Sequence, residues 1–225
     1  RARSPRLAEV LRSGWGALLK PSAARGELCF GPNEGRNVTF VRPAAWLGAW
    51  RDEDPQQAIL EVARRFLSAY GPATPEEFAR WWGDQPAPAK RLFRALGDEL
   101  VPVEVEGWQG WALAATLPQI ERAAMEPSVV LLPAFDPYTI AFCRHPALLP
   151  AEHVSSVSRP QGWISPAVLV CGRIAGTWEH ELQRGTVSIQ VKLFNRPEPW
   201  VGEQLGVEAE GLGAFLGGPV SLQIA

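Results

Sequence analysis

The stretch DPQQAILEVARRFLSAYGPATPEEFARWWGDQPAPAKRLFRALGDELVPVEVEGWQGWALA, residues 54–114, decides the fold. Asp54 can cap a helix that Pro55 opens, at a position where proline's missing N–H is not needed. Ile59, Val62, Ala63, Phe66, Leu67 and Tyr70 then recur at three- and four-residue spacing, which is one face of an α-helix. Gly71 ends it. Thr74-Pro75-Glu76-Glu77 reads as a capping box: Thr74 caps, Pro75 starts the next helix and Glu77 reaches back. Phe78, Trp81 and Trp82 make the apolar face of that short helix, which Gly83 stops. A third helix is predicted from Pro86 to Leu96, with Ala89, Leu92, Phe93 and Leu96 inward and Lys90, Arg91 and Arg94 together on another face. Two short strands are expected next, Val101–Glu106 and Trp111–Ala114, around a turn from Gly107 to Gly110.

Helix, short helix, helix and hairpin in about sixty residues is the plan of a winged helix, with the hairpin as its wing. The block before it reads as the back half of a second copy. Ser4-Pro5 opens a helix to about Arg12, and a further helical stretch runs from Gly14 to Ala24 with Pro21 as its kink or break. Leu28 and Phe30, then Val38 and Phe40, alternate on two strands around Gly31–Gly35, a second wing at about residues 27–42. After residue 126 the pattern changes. Val129–Leu132 is a buried strand, Val168–Val170 and Ile174–Trp178 flank the tight turn Cys171-Gly172, and Val187–Phe194 adds a strand. Pro199–Phe215 suits a helix and Val220–Ile224 a last strand. The expected fold class is α+β: tandem winged-helix units followed by a small β-rich C-terminal module. The expected division is 1–52, 53–126 and 127–225, with the parts packed together.

The net charge of −2 gives no general reason to bind nucleic acid, but its distribution does. Residues 1–51 carry nine Lys/Arg against three acids, residues 52–126 are net −6 and residues 127–225 net −2. The first block is therefore the one drawn to phosphates. Ten tryptophans are expected to be mostly core or interface packing. Three distant cysteines argue against a disulfide framework and fit a reducing cytoplasm. No apolar run approaches a membrane span. Cys143, His145 and His153 fall short of a zinc-site spacing, so neither a metal nor another cofactor is expected.

Several motifs in order add a resemblance. Gly14-Trp15-Gly16-Ala17-Leu18-Leu19-Lys20-Pro21 comes first, then Leu28-Cys29-Phe30-Gly31-Pro32 with Gly35-Arg36-Asn37-Val38-Thr39-Phe40-Val41. Tyr70-Gly71-Pro72-Ala73-Thr74 follows, then Leu131-Leu132-Pro133-Ala134-Phe135-Asp136-Pro137-Tyr138 and Gly172-Arg173-Ile174-Ala175-Gly176-Thr177-Trp178. Together they resemble the winged helix DNA-binding domain family, which includes the AlkZ/YcaQ-type DNA glycosylases. The resemblance spans essentially the whole chain. It implies a concave, DNA-sized surface, and a catalytic Gln-x-Gln or Gln-x-Asp pair in the first winged helix of the glycosylase members. None of the glutamines here has Gln or Asp two residues later, so the resemblance carries no catalytic residue to this chain. The chain opens on Arg1 and is expected to be an N-terminally truncated, inactive portion of such a protein.

The expected partner is double-stranded DNA. Candidate contacts are Arg12, Lys20, Arg25 and Arg36 of the basic block, with Asn37 and Thr39 as neutral donors. Lys90, Arg91 and Arg94 are candidates on the third helix, although Glu104 and Glu106 on the adjoining hairpin repel phosphate. Asp136 and Tyr138 are candidates to face a cavity, with a turn or N-cap role the alternative for Asp136. A protein-interaction or transcription-regulatory module without glycosylase activity is the other expectation, favoured by the acidic hairpin.

Overall fold

The computed structural model describes residues 19–35, 37–48, 53–124, 126–183 and 185–225. The chain divides into two compact units, Arg1–Pro55 and Gln56–Ala225. In the first, helix α1 is Lys20–Ala24. Pro21 lies in its first turn, where no N–H is required, and the part of the expected Gly14–Ala24 stretch before residue 19 lies outside the described residues. The helix expected at Ser4–Arg12 lies outside the described residues. Strands β1, Cys29–Phe30, and β2, Phe40–Val41, pair antiparallel, Phe30 opposite Phe40. They are shorter than expected, and the tip is closed by reciprocal backbone bonds between Glu34 and Asn37. A short helix α2, Pro43–Leu47, was not foreseen; five residues are too few to show a period.

Helix α3, Pro55–Tyr70, starts on the last residue of the first unit and belongs otherwise to the second, where α4, Pro75–Trp82, and α5, Pro86–Leu96, follow. The capping box is present: Thr74 Oγ1 accepts from the Glu77 N–H, and Glu77 Oε2 accepts from the Thr74 N–H at 2.7 Å. Strands β3, Leu100–Val105, and β4, Trp108–Leu113, form the hairpin. Its turn is Glu106-Gly107, both at positive φ, and not the expected Gly107–Gly110. Such a two-residue turn matches the twist of its strands, so Trp108, Gln109 and Gly110 are strand residues. Ala73 and Trp111 exchange backbone hydrogen bonds at 2.9 Å each, which fastens the α3–α4 connection to β4. Phe66, Leu67, Phe78, Ala89, Phe93 and Leu96 make a buried core. The period in residues 59–96 thus dictates both the helices and their packing.

After α6, Leu117–Arg122, comes β5, Val129–Leu132, then α7, Pro137–Phe142, and α8, Val154–Val157. A small hairpin follows, β6, Ser158–Arg159, with β7, Trp163–Ile164. Strands β8, Ala167–Val170, β9, Arg173–Gln183, and β10, Thr186–Leu193, then lead to α9, Pro199–Leu216, and β11, Val220–Ile224. The main sheet has the order β11-β10-β9-β8-β5. All its pairs are antiparallel except β10 with β11, which α9 joins as a crossover. Val187, Ile189 and Val191 of β10 bury one face against Val201, Leu205 and Ala209 of α9. Ala167 and Leu169 point to the opposite face, against Cys143, Leu149 and Val157. This part holds more helix than expected. Ala141 and Phe142 of α7 join the Phe66 core, so α7 packs with the three helices that open this unit. The molecule is α+β.

Candidate nucleic-acid interface

In the first unit, Lys20 is exposed on α1. Arg25 is tied to Glu27 by two hydrogen bonds, at 2.8 and 2.9 Å, and its charge is locally compensated. This pairing holds the Glu27 carboxyl below its ordinary range. Asn37 is exposed at the hairpin tip, but the Thr39 hydroxyl donates to the Pro32 carbonyl at 2.6 Å and is not a free donor. Arg12 and Arg36 lie outside the described residues. Phe30 and Phe40 stack on each other at 5.3 Å, both largely exposed.

In the second unit the three cations of α5 separate. Lys90 Nζ meets Glu76 Oε1 of α4 at 2.7 Å, and that bond holds the Glu76 carboxyl below its usual range. Arg91 and Arg94, one turn apart, are exposed, and neither makes an ion pair among the described residues. Lys90 therefore helps fix α5 on α4, while the two arginines present uncompensated charge.

Asp136 caps α7: its carboxylate accepts from the Tyr138 N–H at 2.9 Å. Tyr138 instead lines a cleft with Tyr70, Glu106, Trp108, His145 and Arg173. Its hydroxyl donates to the Gly172 carbonyl at 2.6 Å, and burial pushes its pKa up to about 12. Arg173 spans the cleft, donating to Glu106 Oε2 at 2.8 Å and to the Ala147 carbonyl at 2.6 Å. The acidic tip of the β3–β4 hairpin is thus clamped to the β8–β9 turn. Arg173 was visible in sequence only as part of the Gly172–Trp178 landmark; its partner lies 67 residues earlier.

At the cleft wall His145 forms a buried ionisable pair with Glu77. Glu77 Oε1 is 3.9 Å from His145 Nε2, too far for a hydrogen bond. Burial raises the Glu77 pKa, and burial lowers that of His145. His145 Nδ1 accepts from the Ala147 N–H at 3.2 Å, and its ring lies 4.5 Å from Trp108. His145 is therefore neutral in the folded state near neutral pH, whereas in the unfolded chain it protonates near its ordinary pKa of about 6.5. Acidification favours the form that takes up the proton, so stability present above about pH 6.5 is lost as pH falls toward the folded-state pKa. Glu77 acts with the opposite sign, since the folded state keeps its proton to higher pH. We expect the urea midpoint to drop between about pH 7.5 and 5.5, and to drop less in His145→Gln. Parallel losses in the two proteins would show that His145 is not the group responsible.

The Cys143–His145–His153 run does not converge. Cys143 Sγ contacts the Ile140 carbonyl at 3.8 Å, and His153 stacks on Phe194 at 4.1 Å. The expectation for tryptophan also needs correction. Of the eight described, only Trp178 is buried, while Trp46, Trp82, Trp111 and Trp163 are exposed. Among the described residues, no helix is long and apolar enough to cross a membrane.

Three comparisons bear on this arrangement. The family model described as "DNA glycosylase AlkZ-like" matches residues 3–215. A curated "Interstrand DNA cross-link repair glycosylase" of Streptomyces sahachiroi is 42% identical over 177 residues, covering 76% of this chain and 48% of that protein. The solved structure titled "Streptomyces sahachiroi DNA glycosylase AlkZ" superposes with a TM-score of 0.80 at 35% identity, covering 99% of this chain and 62% of the other. The chain spans about half the length of the curated relative it matches. With the family model matched over nearly its whole length and the fold shared with a solved relative, the chain belongs to the AlkZ-like DNA glycosylase family.

Proposed function

We propose that this chain binds double-stranded DNA as part of a DNA-repair glycosylase, and that residues 53–126 are a winged helix. On this proposal residues 1–52 are the back of another winged helix and 127–225 the C-terminal module. The observation that carries the reading is the pair Arg91 and Arg94, exposed and unneutralised on the third helix of a helix–helix–helix–hairpin unit. Arginine is the residue most suited to phosphate, because its planar fork stays charged and donates in two directions. Lys20 and Asn37 are proposed as supporting contacts from the first unit. Lys90, Arg25 and Thr39 are already engaged within the fold, which makes them the weaker candidates of the set. The family and the printed activity of the curated relative supply the repair context. The part proposed for this chain is to hold DNA, and no residue in it is proposed as catalytic.

The test is fluorescence anisotropy of the chain with a short labelled duplex over a range of salt. Wild type should bind with steep salt dependence, because each neutralised phosphate releases counterions. Replacing Arg91 and Arg94 with Ala together should weaken binding and flatten the log–log salt slope by about two. Absence of salt-sensitive binding by wild type at low salt would refute the DNA reading. A second reading, a protein-docking module, is favoured by the hairpin acid Glu104, which is exposed. It would gain if the double variant bound DNA as wild type does.

A further inference from the structure

The turn between β5 and α7 holds Phe135 at φ +59°, and the turn between β6 and β7 holds Gln161 at φ +63°. Both are left-handed conformations that side chains other than glycine seldom adopt, least of all a bulky aromatic. Strain of this kind persists where the surroundings enforce it, and it clusters at sites that bind. Two aromatic rings stand at the surface beside these turns. Phe135 and Trp163 stand edge to face at 5.0 Å, 45% and 48% exposed. The Phe135 N–H donates to the Ile164 carbonyl at 3.3 Å, which fixes one turn on the other. Packing alone does not explain the pair, since each ring leaves about half its surface in water.

The surrounding charge is one-sided. Arg159 is the cross-strand partner of Trp163, which puts their side chains on one face of the small hairpin. The depressions on either side of the aromatic pair are lined by Arg80, Arg144, Arg159 and Lys192, against the single acid Glu179. Arg80 donates to the Ala141 carbonyl and is used internally. Arg144, Arg159 and Lys192 are exposed and make no ion pair among the described residues. This patch lies within residues 127–225, which are net negative overall. Three of the six Lys/Arg of residues 127–225 thus line the depressions beside the aromatics.

We propose that this rim is a second DNA-contacting surface, in which Phe135 and Trp163 stack on a base left unstacked in a distorted duplex while Arg144 and Arg159 hold its flanking phosphates. The inference rests on the DNA reading above and adds a preference for distorted DNA. An aromatic face accepts any base, and adjoining cations track the backbone, so the chemistry selects exposure rather than sequence. No residue here is a candidate for chemistry on the base.

Anisotropy with two labelled duplexes tests it, one fully paired and one carrying a single unpaired base. Wild type should prefer the second. Phe135→Ala and Trp163→Ala should each lose about tenfold on the unpaired-base duplex and little on the paired one, while Trp163→Phe keeps most of the preference. Arg144→Ala with Arg159→Ala should flatten the salt slope by about two. Circular-dichroism melting checks that each variant is folded. Folded variants that bind both duplexes as wild type does would overturn the proposal, and would leave the rim as a protein-docking surface. If wild type binds and the Arg91/Arg94 variant is weakened while the rim variants are not, only this inference falls. If wild type binds neither duplex, the DNA reading falls with it.

Discussion

Phe66→Ala should destabilise the protein by about 3–5 kcal/mol, enough to consume much of a typical domain's stability. Phe66 is 1% exposed and lies where α3 packs on α4. Its ring is 5.3 Å from Phe78 of α4, 5.1 Å from Trp81 and 5.6 Å from Tyr70 of its own helix. Truncation removes the ring's burial and leaves a cavity walled by rigid aromatics, which cannot collapse to fill it. Phe66→Leu, retaining most of the apolar volume, should lose far less. The check is urea denaturation followed by far-ultraviolet circular dichroism. Because Ala141 and Phe142 bury in the same cluster, tryptophan fluorescence should report the same midpoint in both proteins. A loss under about 1 kcal/mol in Phe66→Ala would mean that the cluster is loosely packed and that α4 is held chiefly by other contacts.

The second large effect is expected at Trp178. Its indole is buried on β9 within the sheet–α9 core, and its Nε1–H donates to the Leu132 carbonyl at 2.7 Å. Strand β8 lies between β9 and β5 in the sheet, so the indole joins two strands that are not neighbours. Trp178→Ala loses that bridge and a large apolar area, for about 3–5 kcal/mol. Trp178→Phe keeps most of the ring and forfeits mainly the hydrogen bond, for about 1 kcal/mol. Thermal melting of the two variants separates packing from bonding. Equal losses would mean that the Leu132 bond, and not the ring, dominates.

Much of the fold was legible because its signals are local. The period of Ile59 to Tyr70, the Thr74–Glu77 box and the Cys171-Gly172 turn each declare an element through residues close in sequence, and the structure places all three as read. Helix α7 is too short for a period, and only Asp136-Pro137 betrayed its start. The hairpin turn differs from the expected Gly107–Gly110 because a positive φ at Glu106 lets it close at Gly107, three residues earlier. The candidate site was legible as residue types but not as partners. Lys90 and Arg91 are adjacent in sequence, yet Glu76 on another helix neutralises only the first. Phe135 carries no signal in sequence of its left-handed backbone or of a ring that is 45% exposed. Pairing and exposure are tertiary facts that a one-dimensional pattern does not encode.

The clamp at Arg173 has a consequence for the entropy of association. The hairpin tip is hydrogen-bonded to the β8–β9 turn, and α7 shares a core with α3, α4 and α5, so the hairpin, α5 and the Phe135 turn lie within one compact unit. A ligand that touches both Arg91 and Trp163 then finds their separation already set and pays little to order them. Its fit is decided by its own shape. A stiff, straight partner and a bent one meet the same fixed template, and the difference in their binding reports the work of bending the partner rather than any yielding by the protein.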